Sequence, residues 1–383
     1  MPAALEIVEV LCRFAGRGPC TDAERRAAAW LHDDLRARGH EAWVETLWVR
    51  PQWAASLALH ALLGVVASVA AVAYPPAGLG LALVLALSLA LEAAGRPGLL
   101  RLVLPRRATQ HVLALPAEDK PVTLLICARY DAPRAGALAG DRGRRLAARL
   151  RRGLRGRTLG PYGWLVTALV VVAACAGARL AGVEGLAVGI PQFLATVTLL
   201  GAFAFAIDVA ASPVTPGANA GASPAAVALA LHDELNQRPP QHLAPALVML
   251  GAGEGGPQSL RAHLRRERLR AADTVLLEIA PSGAGTPAFA ARHPQLRSAG
   301  NGAATALGAP ARGQLPRVRT RLPGAVVGCL DARGIAPRVR QADDLPGHVD
   351  PAALDAALDY ALAVVDSLDA SVGHARTDHS ASM

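Results

Sequence analysis

The sequence predicts an α/β protein: a three-layer sandwich around a mostly parallel central sheet, interrupted by two inserted transmembrane helical hairpins. Three observations carry this. Short apolar runs alternate with amphipathic segments along most of the chain, the pattern of strands buried on both faces between helices. Pro51 to Leu91 contains no Asp, Glu, Lys or Arg, and a second apolar pair lies between Tyr162 and Ala211. Only 18% of the 383 residues are charged and 52% are apolar, whereas a soluble domain is nearer a quarter charged.

The elements follow in order. Asp22 is placed to cap a helix over Ala23–Arg38, which Gly39 ends. Glu41–Val49 reads as a strand. Trp53–Ala73 and Ala77–Leu91 form the first hairpin, divided at Tyr74-Pro75-Pro76. Further strands are expected at His111–Leu115, Val122–Ala128, Ala246–Gly251, Thr274–Ala280 and Ala325–Leu330. Tyr162–Ala181 and Val188–Ala211 form the second hairpin around Glu184. Ser223-Pro224 opens a helix to about Leu235, another spans about Gln258–Leu269, and the last starts at Asp350-Pro351. In that last helix Leu354, Leu358, Leu362, Val365 and Leu368 share one face. The α/β domain thus comprises residues 1–50, 96–141 and 212–370, with hairpins at 51–95 and 162–211, an Arg-rich cytoplasmic linker at 142–161 and a disordered tail at 371–383.

Charge decides the orientation. The net charge is +9, and arginine supplies it, because Lys120 is the only lysine. Arg142, Arg144, Arg145, Arg149, Arg151, Arg152, Arg155 and Arg157 abut the third span, Arg50 precedes the first, and Arg96, Arg101, Arg106 and Arg107 follow the second. Positive charge stays on the cytoplasmic side. The soluble domain and both termini are therefore expected to be cytoplasmic, at a bacterial cytoplasmic membrane. The opening MPAALEIVEVLCRF carries Glu6 and Glu9 and does not read as a signal peptide. The arginine run also suits anionic lipid. His60 and Asp208 are ionisable groups within or near the spans, which leaves a transporter component open.

Composition excludes other classes. Aromatic residues are 4%, too few for the stacking surface of a single-strand nucleic-acid binder. Cys12, Cys20, Cys127, Cys175 and Cys329 are scattered without a C-x-x-C pair, against a disulfide framework or a thiolate zinc site. His232 sits beside Asp233 and Glu234 on a helix and reads as solvated; His348 lies near Asp343 and Asp344 and reads as a turn residue. GAGEGG lacks the G-K-[ST] ending of a phosphate loop.

Chemistry in α/β domains gathers at the C-terminal ends of strands. Here those ends read ARYDAPRAGA, TPGANAGASPAA, MLGAGEGG and LLEIAPSG, followed by VRQADDLPGHVDPAAL. Their order and spacing resemble the zinc aminopeptidases of metallopeptidase family 28, the aminopeptidase Y type, over roughly Thr21–Gln110 without the first hairpin, Thr123–Pro133 and Ser212–Asp369. The resemblance implies a zinc-exopeptidase-like fold. It also implies a two-zinc site with a bridging Asp, two His, two further carboxylates and a Glu as general base. Carried over by motif, the first His place is Arg129, and the Asp of that motif persists as Asp131. The bridging place is Ala220. The base place is Gly253, and the ligand beside it is Glu254. The next ligand is Glu278, and the last His place is Arg340. The expected result is a vestigial site: no catalytic residue, no metal and no cofactor, with Arg129 and Arg340 pairing to Glu254, Glu278 or Asp131. The function this implies is a non-catalytic binding or scaffolding pseudoenzyme whose partners are the lipid bilayer and another membrane protein or a small anionic ligand. A membrane-bound metallo-aminopeptidase or hydrolase with zinc on Asp131, Glu254 and Glu278 stays open as the alternative.

Overall fold

The computed structural model describes residues 2–138, 140–153, 160–256, 258–308, 315 and 320–380. The elements, in chain order, are α1 (Pro2–Arg13), α2 (Asp22–Ala37), β1 (Ala42–Val49), α3 (Trp53–Ala73), α4 (Pro75–Ala93), α5 (Leu99–Leu102), β2 (Arg107–Ala114), β3 (Val122–Arg129), α6 (Asp141–Gly153), α7 (Gly160–Leu180), α8 (Leu186–Ala211), α9 (Ser223–Gln237), β4 (Leu243–Leu250), α10 (Gln258–Arg266), β5 (Thr274–Ile279), β6 (Thr286–Ala291), α11 (Pro294–Ala306), β7 (Gly324–Leu330) and α12 (Pro351–Ser380). They fall into two units. One comprises residues 1–49, 107–135 and 213–383; the other comprises 50–106 and 136–212.

The first unit is built on a seven-stranded sheet in the order β1-β2-β4-β3-β5-β7-β6. β4, β3, β5 and β7 run parallel, while β1, β2 and β6 are antiparallel to their neighbours. Every residue of β4 is buried, as a central strand covered on both faces requires. The period-2 alternation of β3 divides the core. Leu124, Ile126 and Ala128 pack into the large cluster that includes residues of α1, α2, α9, α11 and α12. Leu125 and Cys127 face the other way, toward Leu260 of α10.

Several local expectations change. The cap of α2 is Thr21, whose hydroxyl accepts the Glu24 N–H at 3.2 Å; Asp22 is already helical and pairs with Arg25 and Arg26. T-D-A-E is a capping-box spacing, and Glu24 reaches back to the Cys20 N–H. Ser223 does not cap α9, because a π-helical turn over Ala218–Ala222 runs directly into it. The strand β6 and the helix α11 lack the usual sequence signals. TPAFAA carries a proline, tolerated because β6 is an edge strand. In α11, Gly300 dilutes helix propensity, but a Cβ there would stand 2.3 Å from the Phe289 ring, so the glycine permits close packing on β6. The helix α12 continues to Ser380, through most of the tail expected to be disordered; one isolated glycine, Gly373, and no proline interrupt it.

The second unit holds four helices long and apolar enough to cross a membrane: Trp53–Ala73, Pro75–Ala93, Tyr162–Leu180 and Leu186–Ala211. Pro75 and Pro76 begin α4 as its first two residues rather than separating two spans by a loop. Small residues set the contacts. A Cβ on Gly78 would lie 2.4 Å from the Ala71 backbone, and one on Gly64 would meet Leu169 and Leu199 at 2.9 Å. Large apolar side chains such as Val69, Leu87, Phe193 and Leu194 point outward. Polar groups turn inward: Ser56 donates to Glu92 at 2.6 Å, and His60 Nε2 lies 2.9 Å from Ser88 Oγ. Asp208 accepts the Ala137 and Leu138 N–H groups. The run from Arg142 is not a plain linker, since α6 covers Asp141–Gly153, with Arg144 and Arg145 paired to Asp141 one turn back. The side chains of Arg151 and Arg152, and the whole of Arg155 and Arg157, lie outside the described residues.

Candidate functional site

The residues carried over by motif meet at the C-terminal ends of β3 and β4. Beyond β3 the chain passes through Tyr130, whose hydroxyl donates to the Gln110 carbonyl, and then Asp131, which is fully buried. Gly221 lies so close to this turn that a Cβ would sit 2.2 Å from the Asp131 carbonyl. Beyond β4, Ala252 adopts a left-handed backbone (φ 50°), which turns the N–H groups of Gly253 and Glu254 onto the two Asp131 carboxylate oxygens at 3.0 and 2.9 Å. Burial pushes the Asp131 carboxyl up to about 6, against the pull of Arg129 and of these two N–H groups.

Arg129 runs over this turn. Its Nε donates to the Ala220 carbonyl at 2.8 Å, and among the described residues no carboxylate lies within ion-pair distance of it. The expected ion pair of Arg129 is thus replaced by a backbone hydrogen bond, because the π-helical turn presents a carbonyl to its Nε. Its stem also fills the space beside Gly253, where a Cβ would stand 2.7 Å from Arg129 Cβ and 2.9 Å from Asp131 Oδ1. Arg340, itself in a left-handed conformation (φ 67°), does pair: its Nη1 donates to Glu254 Oε1 at 2.6 Å. The Glu254 side chain is 3% exposed and that of Arg340 18%. Glu278 stands on β5 opposite Cys127; desolvation raises its carboxyl above the usual range, and Arg129 opposes that rise.

Three further groups belong to this cluster and escape the sequence reading. Asp344 is buried, and its carboxylate accepts the Asn219 and Ala220 N–H groups at 2.7 and 3.0 Å. It thereby places a carboxylate against the backbone of the residue that lacks one, and burial pushes it up to about 6. The turn position of Asp343-Asp344 was visible in sequence, but not which of the two faces inward. His348 contacts the Asp343 carbonyl at 2.8 Å, as a turn residue does. Arg17 is buried and donates to the carbonyls of Tyr130, Leu11 and Pro216. Glu24, inside α2, accepts the Ala252 N–H at 2.6 Å and the Thr109 hydroxyl at 2.9 Å, and burial pushes it up to about 8. No motif marks Arg17, and the capping-box spacing that marks Glu24 predicts its contact with the Cys20 N–H and not its reach to Ala252 and Thr109.

The fold places these residues among known proteins. A glutaminyl cyclase from Bacteroides thetaiotaomicron bound to N-acetylhistamine matches with a TM-score of 0.56 and 12% identity, covering 95% of this chain and 97% of that one. A Zn-dependent exopeptidase from Parabacteroides distasonis matches at 0.54 and 11%, covering 95% and 97%. A zinc aminopeptidase from Bacillus subtilis matches at 0.54 and 11%, covering 95% and 94%. No family model and no curated protein matches the sequence. The fold is shared with zinc-dependent exopeptidases and glutaminyl cyclases.

Proposed function

We propose that this is a polytopic membrane protein whose peptidase-like unit has lost metallopeptidase chemistry and serves as a binding or scaffolding module. The observation that carries this reading is the Arg340–Glu254 pair. Where the family resemblance calls for a metal between a His and a carboxylate, an arginine occupies the His place and its guanidinium holds the carboxylate directly.

The donor set does not fit a two-zinc cluster. Ala220 and Gly253 offer no side-chain donor, and arginine stays protonated and cannot ligate. Both Asp131 oxygens accept backbone N–H groups, and Glu254 Oε1 is taken by Arg340. The hydrolase alternative would put a metal on Asp131 and Glu254, where each Asp131 oxygen already accepts an N–H and one Glu254 oxygen holds the Arg340 guanidinium. With Gly253 at the base place, no carboxylate stands there to activate water. The four apolar helices and their flanking arginines support a membrane protein with both termini and the peptidase-like unit on the cytoplasmic side.

The test is metal content and aminopeptidase activity of the full chain in mild detergent, beside a rebuild carrying Arg129→His, Ala220→Asp, Gly253→Glu and Arg340→His. The expected result is no peptidase activity and no bound zinc that depends on Asp131, Glu254 or Glu278, with zinc gained at those residues in the rebuild. Zinc in the native chain that is lost on Glu254→Gln and Glu278→Gln would overturn the reading and restore the hydrolase.

A further inference from the structure

We propose that His40, His232 and Asp233 form a binding site for one divalent transition-metal ion of the zinc class, apart from the vestigial site. The three lie toward the other end of the α/β unit. His40 lies just ahead of β1, separated from it by Glu41, and His232 and Asp233 occupy the closing turns of α9, whereas the vestigial cluster sits beyond the C-terminal ends of β3 and β4.

The first ground is an orphaned side chain. The acidic neighbours of His232 suggest a solvated side chain, yet it is fully buried, and among the described residues neither ring nitrogen has a hydrogen-bond partner. An imidazole always presents a lone pair or an N–H at each nitrogen. A buried polar group left without a partner points to a missing water or ion.

The second ground is convergence. The His40 and His232 rings meet edge-on, with centroids 4.6 Å apart and planes at 63°. His40 Nε2 lies 2.6 Å from Asp233 Oδ1. One donor atom from each of the three residues lies within 4.8 Å of the others. A zinc-class ion binds imidazole nitrogen and carboxylate oxygen at about 2.0–2.2 Å, which spaces tetrahedral ligands about 3.3 Å apart. The trio needs only small side-chain shifts to reach that spacing. The carboxylate is already oriented: Arg38 Nη1 holds Asp233 Oδ2 at 2.6 Å while also pairing with Asp34, leaving Oδ1 toward the histidines. His40 and Asp233 reach solvent, with side chains 14% and 18% exposed, so water completes the fourth position. Two imidazoles and a carboxylate suit zinc, cobalt or nickel over calcium or magnesium.

A second grouping, Glu45, His263 and Glu267, lacks the first of these features. Its carboxylate is paired in the same way, Glu45 with His263 at 2.8 Å and with Arg266 at 3.0 Å, but no ring nitrogen of that trio is buried without a partner, and that is what sets the first grouping apart.

The test uses the full chain in mild detergent, stripped with a chelator and titrated with cobalt(II). The expected result is one cobalt per chain with the visible absorption of a four-coordinate site. His40→Ala, at a partly exposed position, should weaken binding by more than the 10- to 100-fold that loss of an outer partner costs. His232→Gln should do the same, and Glu254→Gln with Glu278→Gln should leave the band intact. Absence of stoichiometric cobalt, or a band that survives His40→Ala, overturns the proposal. A band lost only in the Glu254/Glu278 variant overturns it too, and separately overturns the pseudoenzyme reading.

Discussion

Arg340→Met isolates the interaction on which the functional reading rests. The pair has a 2.6 Å contact, and its acidic partner is 3% exposed. Two unit charges about 4 Å apart at an effective dielectric of about 20 attract by roughly 4 kcal/mol, and desolvation of both groups returns much of that. The net worth of the pair is therefore small, but removing one member is not. Methionine leaves the Glu254 charge buried without its cation, at a cost of about 3–5 kcal/mol. Glu254→Gln alone costs less, about 1–3 kcal/mol, because Arg340 is partly exposed and keeps the Arg134 carbonyl as an acceptor at 3.4 Å. The double variant recovers part of the sum, with a coupling energy of about 2 kcal/mol, inside the range for residues in contact. Urea-dependent proteolysis of the intact chain in mild detergent reads these values as midpoint shifts at constant slope. A loss below about 1 kcal/mol for Arg340→Met is the behaviour of a solvated surface pair and would refute the reasoning, as would strictly additive single variants.

Glu24 makes the stability pH-dependent. Its carboxyl rises from an ordinary value near 4.5 to about 8 on folding, so the native state binds the extra proton between those values. Stability is then fully present below the lower value and falls by up to about 1.4 kcal/mol per pH unit as pH climbs toward the upper one; Glu24→Gln should flatten the profile measured by the same proteolysis assay, and an unchanged slope would discard Glu24 as its source. Gly253→Glu alone should destabilise by about 1–3 kcal/mol, since its Cβ would lie 2.7 Å from Arg129 Cβ. In a double-mutant cycle with Arg129→Gly, which removes that Cβ, the two losses should be less than additive; strictly additive losses would mean that Arg129 is not the obstacle. For topology, Val183→Cys, between α7 and α8, should react with a membrane-impermeant maleimide on intact cells, whereas Arg142→Cys should react only after lysis; the reverse pattern would invert the proposed orientation.

Much of the architecture was legible before folding because it depends on local pattern. A charge-free run from Pro51 to Leu91 leaves little choice beyond apolar helices, and the short apolar runs VTLLICA and ALVMLG read as buried strands. The edge strand TPAFAA and the glycine-diluted α11 were not legible, because a neighbour rather than propensity holds them: β7 pairs with the strand, and Phe289 packs against Gly300. At the candidate site the identities at Arg129, Ala220, Gly253 and Arg340 were readable as departures from a motif, since each is a statement about residue type.

What the sequence by itself determined is the chemistry available: four helices long and apolar enough to cross a membrane, an arginine-rich flank, and strand ends stocked with arginine and carboxylate in an order resembling a zinc peptidase. What only the tertiary structure decided is which charges meet. Asp344 rather than Asp343 turns inward, Arg340 takes Glu254 while Arg129 takes a carbonyl, and His232 is buried against His40 although acidic neighbours suggested water. The reason is physical. Helix and strand patterns are set by neighbours within a few positions along the chain, whereas contacts such as Arg340–Glu254 and His40–Asp233 join residues separated by 86 and 193 positions. Their partners are therefore fixed by how the elements pack and not by what stands beside them in sequence.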